Sequence, residues 1–215
     1  HKAAWETELE AHPAKVTAMQ GWSKRLVFET LWAEQIGASD PIFDSQVEAS
    51  YQRFKSLLEK HYSTQPVLPT EGCLELFSWL RDEGIQIALN SGFYRKVTDI
   101  ILERLCWNQG LNKNYVGTSE SIIQASVTPS EIYNHEGRPA PYMIQKAMYQ
   151  LGIKAPQSVV VIGDTPSDLE AGFNANCRWS LGVTNGTHTR EQLKLSPNHG
   201  LMDSLLELKK KISNA

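Results

Sequence analysis

Two acids four residues apart suggest a metal site. In "VIGDTPSDLEAG", residues 161–172, an apolar run ends at Asp164, and Asp168 follows one helical turn later. Carboxylate oxygens favour Mg²⁺ over zinc, and Mg²⁺ commonly takes one or two carboxylates together with waters and phosphate oxygens. We therefore predict that Asp164 binds Mg²⁺ and that Asp168 acts beside it.

A helix start explains part of the same pattern. Thr165 can serve as the N-cap, Pro166 as the first helical residue, and Asp168 as the acid that completes a capping box. This interpretation accounts for Asp168 but leaves Asp164 unexplained. Two carboxylates about 4 Å apart repel by about 4 kcal/mol at an effective dielectric near 20, and a divalent cation removes that cost. We expect both the cap and the metal site.

A hydroxyl and a glycine end a second apolar run. In "IQIALNSG", residues 85–92, the run reaches Asn90, Ser91 and Gly92 at the entrance to a predicted helix, where free NH groups attract anions. We predict that Ser91 holds phosphoryl oxygens and that Asn90 and Gly92 bind substrate. The alternative is that Ser91 only caps the helix that begins near Tyr94.

An arginine precedes a third predicted helix. Arg138 in "EGRPAPYMIQKAM" stands just before the helix that Pro139 and Pro141 begin, where a guanidinium can bind a phosphate with two hydrogen bonds. The alternative is an arginine on a solvent-facing loop. A hydroxyl, an arginine and an acid pair, all at strand ends, suit a site that handles phosphoryl groups.

The elements that must position these residues fall into two parts. Residues 1–66 show helical spacing and no convincing strand, with the clearest helices near 23–36 and 41–61. After "STQPVLPTEG", residues 67–215 alternate amphipathic helices with apolar strands, which predicts a parallel sheet covered on both faces. We predict an α/β fold, a Rossmann-like doubly wound parallel sheet with a small α-helical domain. Ligands bind such sheets at the carboxyl ends of the strands.

Composition excludes several other classes. The 215 residues carry a formal net charge of −3, which leaves no basic surface for nucleic acid, and no apolar run is long enough to span a membrane. Three widely spaced cysteines indicate neither a disulfide framework nor a zinc site. We predict a cytoplasmic protein. Apolar residues of the helical part, such as Trp32, could be exposed and support a homodimer, or they could pack within that part.

Three motifs together carry a family resemblance. "ALNSGF", "GRPAPYMI" and "VIGDTPSDLEAG", in this order, resemble motifs two, three and four of the haloacid dehalogenase superfamily, magnesium-dependent hydrolases that work through an aspartyl-phosphate. Most of that superfamily has lysine where this chain has Arg138, and arginine in "GRPAP" is typical of its phosphonoacetaldehyde hydrolase branch. The resemblance covers nearly the whole chain. It implies that residues 1–66 are the cap domain and that the substrate is a small phosphorylated or phosphonate metabolite.

The cap carries a candidate nucleophilic amine. "MQGWSKRLVFETL", residues 19–31, resembles the cap loop in which phosphonatase holds the lysine that forms a Schiff base, and Lys24 falls at that position. Gly21 and Trp22 of the same loop are predicted to contact substrate. The chain departs from phosphonatase at Gln20 and Val27, and sugar-phosphate mutases carry a similar loop whose basic residue only binds substrate. Both roles for Lys24 stay open.

The superfamily's first motif is missing from the sequence. That motif is a strand ending in the nucleophilic aspartate, and the resemblance places it ahead of residue 1, between the strands that end at Ser91 and Asp164. We expect the nucleophile there. The alternatives are a phosphate-monoester phosphatase of the phosphoglycolate phosphatase or sugar-phosphate mutase type and, if the chain truly starts at residue 1, a non-catalytic phosphate-binding module.

Overall fold

The helical part of the molecule is a pair of packed helices. The computed structural model describes residues 15, 16, 19 and 22–213. Helix α1 (Lys24–Ile36) packs against α2 (Phe43–Thr64), and their shared core is apolar. Trp32 is buried there and donates from Nε1 to Ser50 Oγ at 3.0 Å. Of the two possibilities for Trp32, packing within the helical part is therefore confirmed and an exposed dimer surface at this residue is wrong, because the helix pair itself covers its ring.

The rest of the chain alternates helices and strands, as the sequence predicts. In chain order the elements are α3 (Cys73–Asp82), β1 (Ala88–Asn90), α4 (Arg95–Arg104), β2 (Ala125–Val127), α5 (Tyr142–Gln150), β3 (Val160–Gly163), α6 (Pro166–Asn174), β4 (Trp179–Val183), α7 (Arg190–Leu193), β5 (Leu201–Met202) and α8 (Glu207–Ser213). The helix pair also packs on α4, so the domain boundary after residue 66 stays a prediction. None of the described helices is both long and apolar enough to span a membrane.

All the strand ladders are parallel, which confirms the predicted fold class. Strand β1 pairs with β2, with Ala88 opposite Ala125. Strand β3 pairs with β4, and β4 with β5. The five strands form two separate sheets, because no hydrogen-bonded ladder joins β1 to β3 within residues 22–213.

A cleft lies between the two sheets. Strands β2 and β4 are almost wholly buried, whereas β1 and β3 are partly exposed, although inner strands of a parallel sheet are normally covered on both faces. A cavity of about 1060 Å³ separates them and is lined by residues of both strands. The cleft is therefore bounded by two strand edges that have no backbone partner on that side among the described residues.

Strand β2 follows a turn that forms no strand of its own. The segment "NYVGTS" forms only an isolated antiparallel bridge between Val116 and Ala125, and the strand is β2, ten residues later. Asn112 Oδ1 accepts from the backbone NH groups of Asn114 and Val116, and Tyr115 has φ 60°, so the chain turns there. Strand β2 has only three residues, too few to show a periodicity in the sequence.

Candidate active site

Asp164 stands directly after β3 and lines the cleft. Its Oδ2 accepts from the backbone NH of Thr187 at 2.8 Å and from the Thr187 hydroxyl at 2.9 Å. Its Oδ1 has no hydrogen-bond partner among the described residues. The carboxylate is thus held through one oxygen, and the other is left for a ligand.

Asp168 is buried at the start of α6, where the predicted capping box forms. Its Oδ2 accepts from the backbone NH of Thr165 at 3.0 Å and from the hydroxyl of Thr165 at 2.7 Å. The Thr165 hydroxyl accepts from the backbone NH of Asp168 at 3.3 Å in return. Helix α6 begins at Pro166, as the sequence predicts.

The second oxygen of Asp168 binds Arg138. The Arg138 Nη1 donates to Asp168 Oδ1, and the two side chains are only 14% and 8% exposed. This pair corrects the argument that repulsion between the two acids requires a cation, since the guanidinium already neutralises Asp168. The alternative of a solvent-facing Arg138 is also wrong, because the side chain is enclosed in the cleft.

Arg138 keeps hydrogen-bonding capacity beyond this ion pair. Its Nε is buried and has no partner in the described part of the chain. Burial lowers the pKa of Arg138 to about 10, while the carboxylate of Asp164 acts in the opposite direction. The guanidinium therefore remains a cation at neutral pH. A buried, unpaired donor of this kind is costly unless a ligand accepts its hydrogen bond.

Lys24 lies within electrostatic range of Arg138. It is the first residue of α1, and the neighbouring Ser23 approaches Gly137, which precedes Arg138. Burial, the larger cause, and the charge of Arg138, the smaller one, together lower the pKa of Lys24 to about 8. Among the described residues no carboxylate pairs with its amine. Arg25 instead lies on the exposed side of α1, where it pairs with Glu29 and Glu48.

The other predicted residues are less closely grouped. Asn90 lines the cleft at the end of β1, and Ser91 follows it directly. The Ser91 hydroxyl accepts from the backbone NH of Phe93 at 3.1 Å, so it stabilises the turn ahead of α4 and does not cap that helix. Gly92 is part of this turn. The substrate contacts of these residues stay predictions.

The two remaining cap residues differ in what the structure describes. Trp22 packs at the edge of the apolar core between α1 and α2, and its backbone NH donates to the carbonyl of Met19 at 3.2 Å. Gly21 lies outside the described residues. The structure thus assigns Trp22 a packing role, and a contact of either residue with substrate stays a prediction.

Sequence reasoning missed three residues around the acids. A Cβ at Gly163 would overlap the side chain of Asp168, and a Cβ at Gly186 would overlap that of Asp164, so both positions require glycine. Thr187 supplies both donors to Asp164. For Gly186 and Thr187 the signal was "TNGT", residues 184–187, a small-residue turn directly after β4, which lies at the same sheet edge as Asp164.

The residues partly fit a magnesium site. Asp164 offers a free carboxylate oxygen at the carboxyl end of a strand, beside a cleft large enough for a phosphorylated ligand. Across the described ranges, no group of three or more His, Cys, Asp or Glu side chains could hold a metal ion. Mg²⁺ commonly binds through one or two carboxylates with water and phosphate oxygens. Asp164 therefore suits Mg²⁺ as one ligand of several.

Sequence comparison places the chain among known hydrolases. A family model described as HAD-hydrolase-like matches residues 135–208. The phosphonoacetaldehyde hydrolase of Parabacteroides distasonis is 36% identical over 121 residues, 56% of this chain and 40% of the relative. The phosphonoacetaldehyde hydrolase of Bacillus cereus is 29% identical over 171 residues, 79% of this chain and 57% of the relative. The chain spans about half the length of the curated relatives it matches.

Solved structures share the fold. A phosphonoacetaldehyde hydrolase like protein from Oleispira antarctica superposes with a TM-score of 0.75 at 19% identity, covering 96% of this chain and 80% of that one. A hydrolase from Pseudomonas syringae gives a TM-score of 0.72 at 18% identity, covering 99% and 90%. At these identities the likeness shows the fold alone. With the family match over residues 135–208 and the sequence relatives, it leads to one conclusion: the α/β part of this chain is similar to the haloacid dehalogenase-like hydrolases.

Proposed function

We propose that this chain forms the core and cap of a Mg²⁺-dependent phosphohydrolase of the phosphonatase type, which cleaves the carbon–phosphorus bond of phosphonoacetaldehyde through an aspartyl-phosphate. The observation that carries the proposal is the amine of Lys24, whose pKa is lowered to about 8 by burial and by the adjacent Arg138. Hydrolysis of a phosphate ester needs no such amine. Cleavage of a carbon–phosphorus bond needs an electron sink, and an amine that is neutral near pH 7 can form one with an aldehyde.

The lowered pKa makes the covalent step accessible. With a pKa of about 8, about one Lys24 amine in ten is neutral at pH 7, against about one in a few thousand for an unperturbed lysine. The neutral amine attacks the aldehyde carbon, water leaves, and an iminium forms. When phosphorus is transferred, the electron pair of the carbon–phosphorus bond moves into the iminium and leaves an enamine. Protonation and hydrolysis of the enamine release acetaldehyde and regenerate Lys24.

The acceptor of phosphorus is an aspartate on a strand between β1 and β3. The family resemblance predicts this strand ahead of residue 1. The cleft supports the proposal, because β1 and β3 have free edges facing a cavity of about 1060 Å³ and are less buried than their outer neighbours. A parallel strand inserted there would end beside Asp164 and Arg138. Water would then hydrolyse the aspartyl-phosphate to inorganic phosphate.

Charge balance explains the role of a divalent cation. Asp168 already neutralises Arg138, and Asp164 repels an incoming phosphonate dianion. Asp164 would hold Mg²⁺, and the cation would supply positive charge that offsets this repulsion. Arg138 contributes the free donor of its buried Nε, and Ser91 a hydroxyl at the end of β1. Asp168 acts through Arg138, whose guanidinium it orients.

A phosphate-monoester phosphatase is the second candidate. Lys24 and Arg138 influence each other electrostatically, and in this candidate Lys24 binds a phosphoryl oxygen as a cation, the role that the resemblance to sugar-phosphate mutases implies for the basic cap residue. In that case Asp164, Arg138 and the strand in the cleft keep their roles, and Lys24 forms no covalent bond. The predicted cytoplasmic location and the predicted homodimer are compatible with both candidate functions and do not distinguish them.

Reductive trapping distinguishes the two candidates. The natural full-length protein is incubated with phosphonoacetaldehyde and borohydride, and peptide mass spectrometry locates the adduct. We expect a stable secondary amine at Lys24, absent from Lys24→Arg and retained in the matched control Lys60→Arg, an exposed lysine of α2. Turnover of phosphate monoesters without any adduct would replace the phosphonatase proposal with the second candidate.

A further inference from the structure

His188 is a buried residue in an otherwise exposed loop. Residues 185–187 and 189 between β4 and α7 are exposed, whereas His188 is only 5% exposed. Burying a polar ring is unfavourable unless hydrogen bonds satisfy it. Its Nδ1 lies 3.0 Å from the hydroxyl oxygen of Thr187, the residue that holds Asp164.

Hydrogen-bond chemistry determines the direction of this contact. A hydroxyl has one proton and two lone pairs, and a carboxylate only accepts. The Thr187 hydroxyl is 2.9 Å from Asp164 Oδ2, so its proton is directed to the carboxylate. The hydroxyl oxygen must then accept from His188, which requires a proton on Nδ1. The three residues form one directed chain from the imidazole to the carboxylate.

We propose that His188 is a positioning residue: its Nδ1–H orients the Thr187 hydroxyl toward Asp164 Oδ2 and so keeps Oδ1 free for a cation. The inference rests on the proposed role of Asp164 in binding Mg²⁺. Outer partners that orient metal-binding carboxylates commonly change metal affinity about 10–100-fold when removed. His188 contacts Asp164 only through Thr187, one hydrogen bond further from the carboxylate. We therefore expect the change in Mg²⁺ affinity on removing His188 to lie at the lower end of that range.

A purely local structural role does not account for His188. The N-cap of α7 is Thr189, whose hydroxyl accepts from the backbone NH of Gln192 at 3.3 Å. The Gln192 Oε1 accepts in return from the backbone NH of Thr189 at 2.8 Å. The helix start is therefore complete without the imidazole. What His188 adds is the contact to Thr187.

The position of the proton on His188 tests the inference directly. In the natural protein labelled with ¹⁵N on histidine, we expect the NMR signal of His188 to show a protonated Nδ1 bonded to Thr187. In Thr187→Val, which keeps the shape of the side chain but removes the hydroxyl, this signal should change. A neutral His188 with its proton on Nε2 and a bare Nδ1 would overturn the proposal.

Magnesium affinity provides the second test. Calorimetric titration with MgCl₂ should show about tenfold weaker binding in His188→Leu, with most of the affinity restored in His188→Asn, whose smaller side chain places an amide NH₂ at the position of Nδ1. His199→Leu removes an exposed histidine that accepts from the backbone NH of Ser180, and should leave affinity unchanged. Equal affinities in His188→Leu and wild type would also overturn the proposal. An inactive wild-type protein would overturn the proposed function alone, since neither measurement requires turnover.

Discussion

Arg138 and Asp168 form a buried ion pair that joins the loop before α5 to the start of α6. The same carboxylate caps α6 through Thr165, so one side chain both starts a helix and orients the guanidinium. A group that belongs to the proposed active site is therefore also part of the framework. Substitution of Asp168 should change stability and activity together.

Removing the charge of Asp168 should destabilise the fold. Asp168→Asn leaves the buried guanidinium of Arg138 without its counter-charge, and breaking a buried pair in this way typically costs about 3–5 kcal/mol. Urea unfolding of the natural protein measures the change in the free energy of unfolding. The matched control is Asp203→Asn, which breaks the exposed pair with Arg190 and should have little effect. Equal losses in the two variants would contradict a special role for the buried pair.

Turnover of phosphonoacetaldehyde should follow the neutral form of Lys24. Because the pKa of Lys24 is lowered to about 8, kcat/KM should rise about tenfold per pH unit below about pH 8 and level off above it. Phosphate monoesters, whose hydrolysis needs no neutral amine, serve as the internal control. Their profile of kcat/KM against pH should lack the rise below about pH 8. A profile that keeps rising to the pKa of a free lysine would show that Lys24 is not perturbed in the working enzyme.

Asp164 should be essential for magnesium-dependent turnover. Asp164→Asn keeps the side-chain shape and an oxygen for Thr187 but removes the negative charge that binds the cation, so activity should fall to background. The comparison is Asp203→Asn, which alters a carboxylate directly after β5 at the same sheet edge. Steady-state assays over a range of MgCl₂ concentrations measure both. Undiminished activity in Asp164→Asn would refute its assignment as a ligand.

Hydrogen exchange should reveal whether a strand occupies the cleft in the natural protein. In a parallel sheet, alternate residues of β3 direct their backbone groups to opposite neighbours, and the structure supplies only β4 as a partner. An inserted strand would protect every amide of Val160–Gly163 and of Ala88–Asn90 from exchange. Fast exchange at alternate positions would instead indicate an open cleft and favour a phosphate-binding module.

Local sequence was a good guide to single elements. The capping box of Thr165 and Asp168 and the start of α6 follow from residues within one helical turn of each other. Strand β2 was not predicted, because three buried residues carry no periodic pattern. The sequence left open whether Trp32 is exposed or packed within the helical part, because a partner helix, rather than the pattern of α1 itself, covers the ring.

The sequence alone determined the residue types of the site, the two strands whose predicted ends at Ser91 and Asp164 lie one residue beyond the observed ends, and the start of α6, because these depend on side chains that are neighbours along the chain. Only the tertiary structure decided their partners. Arg138 binds Asp168 rather than solvent, the charge of Arg138 acts on Lys24 of the helical part, and Thr187 holds Asp164. The reason is physical: these contacts join residues far apart in sequence, whose distances depend on strand order and on how the helices pack over the sheet edge.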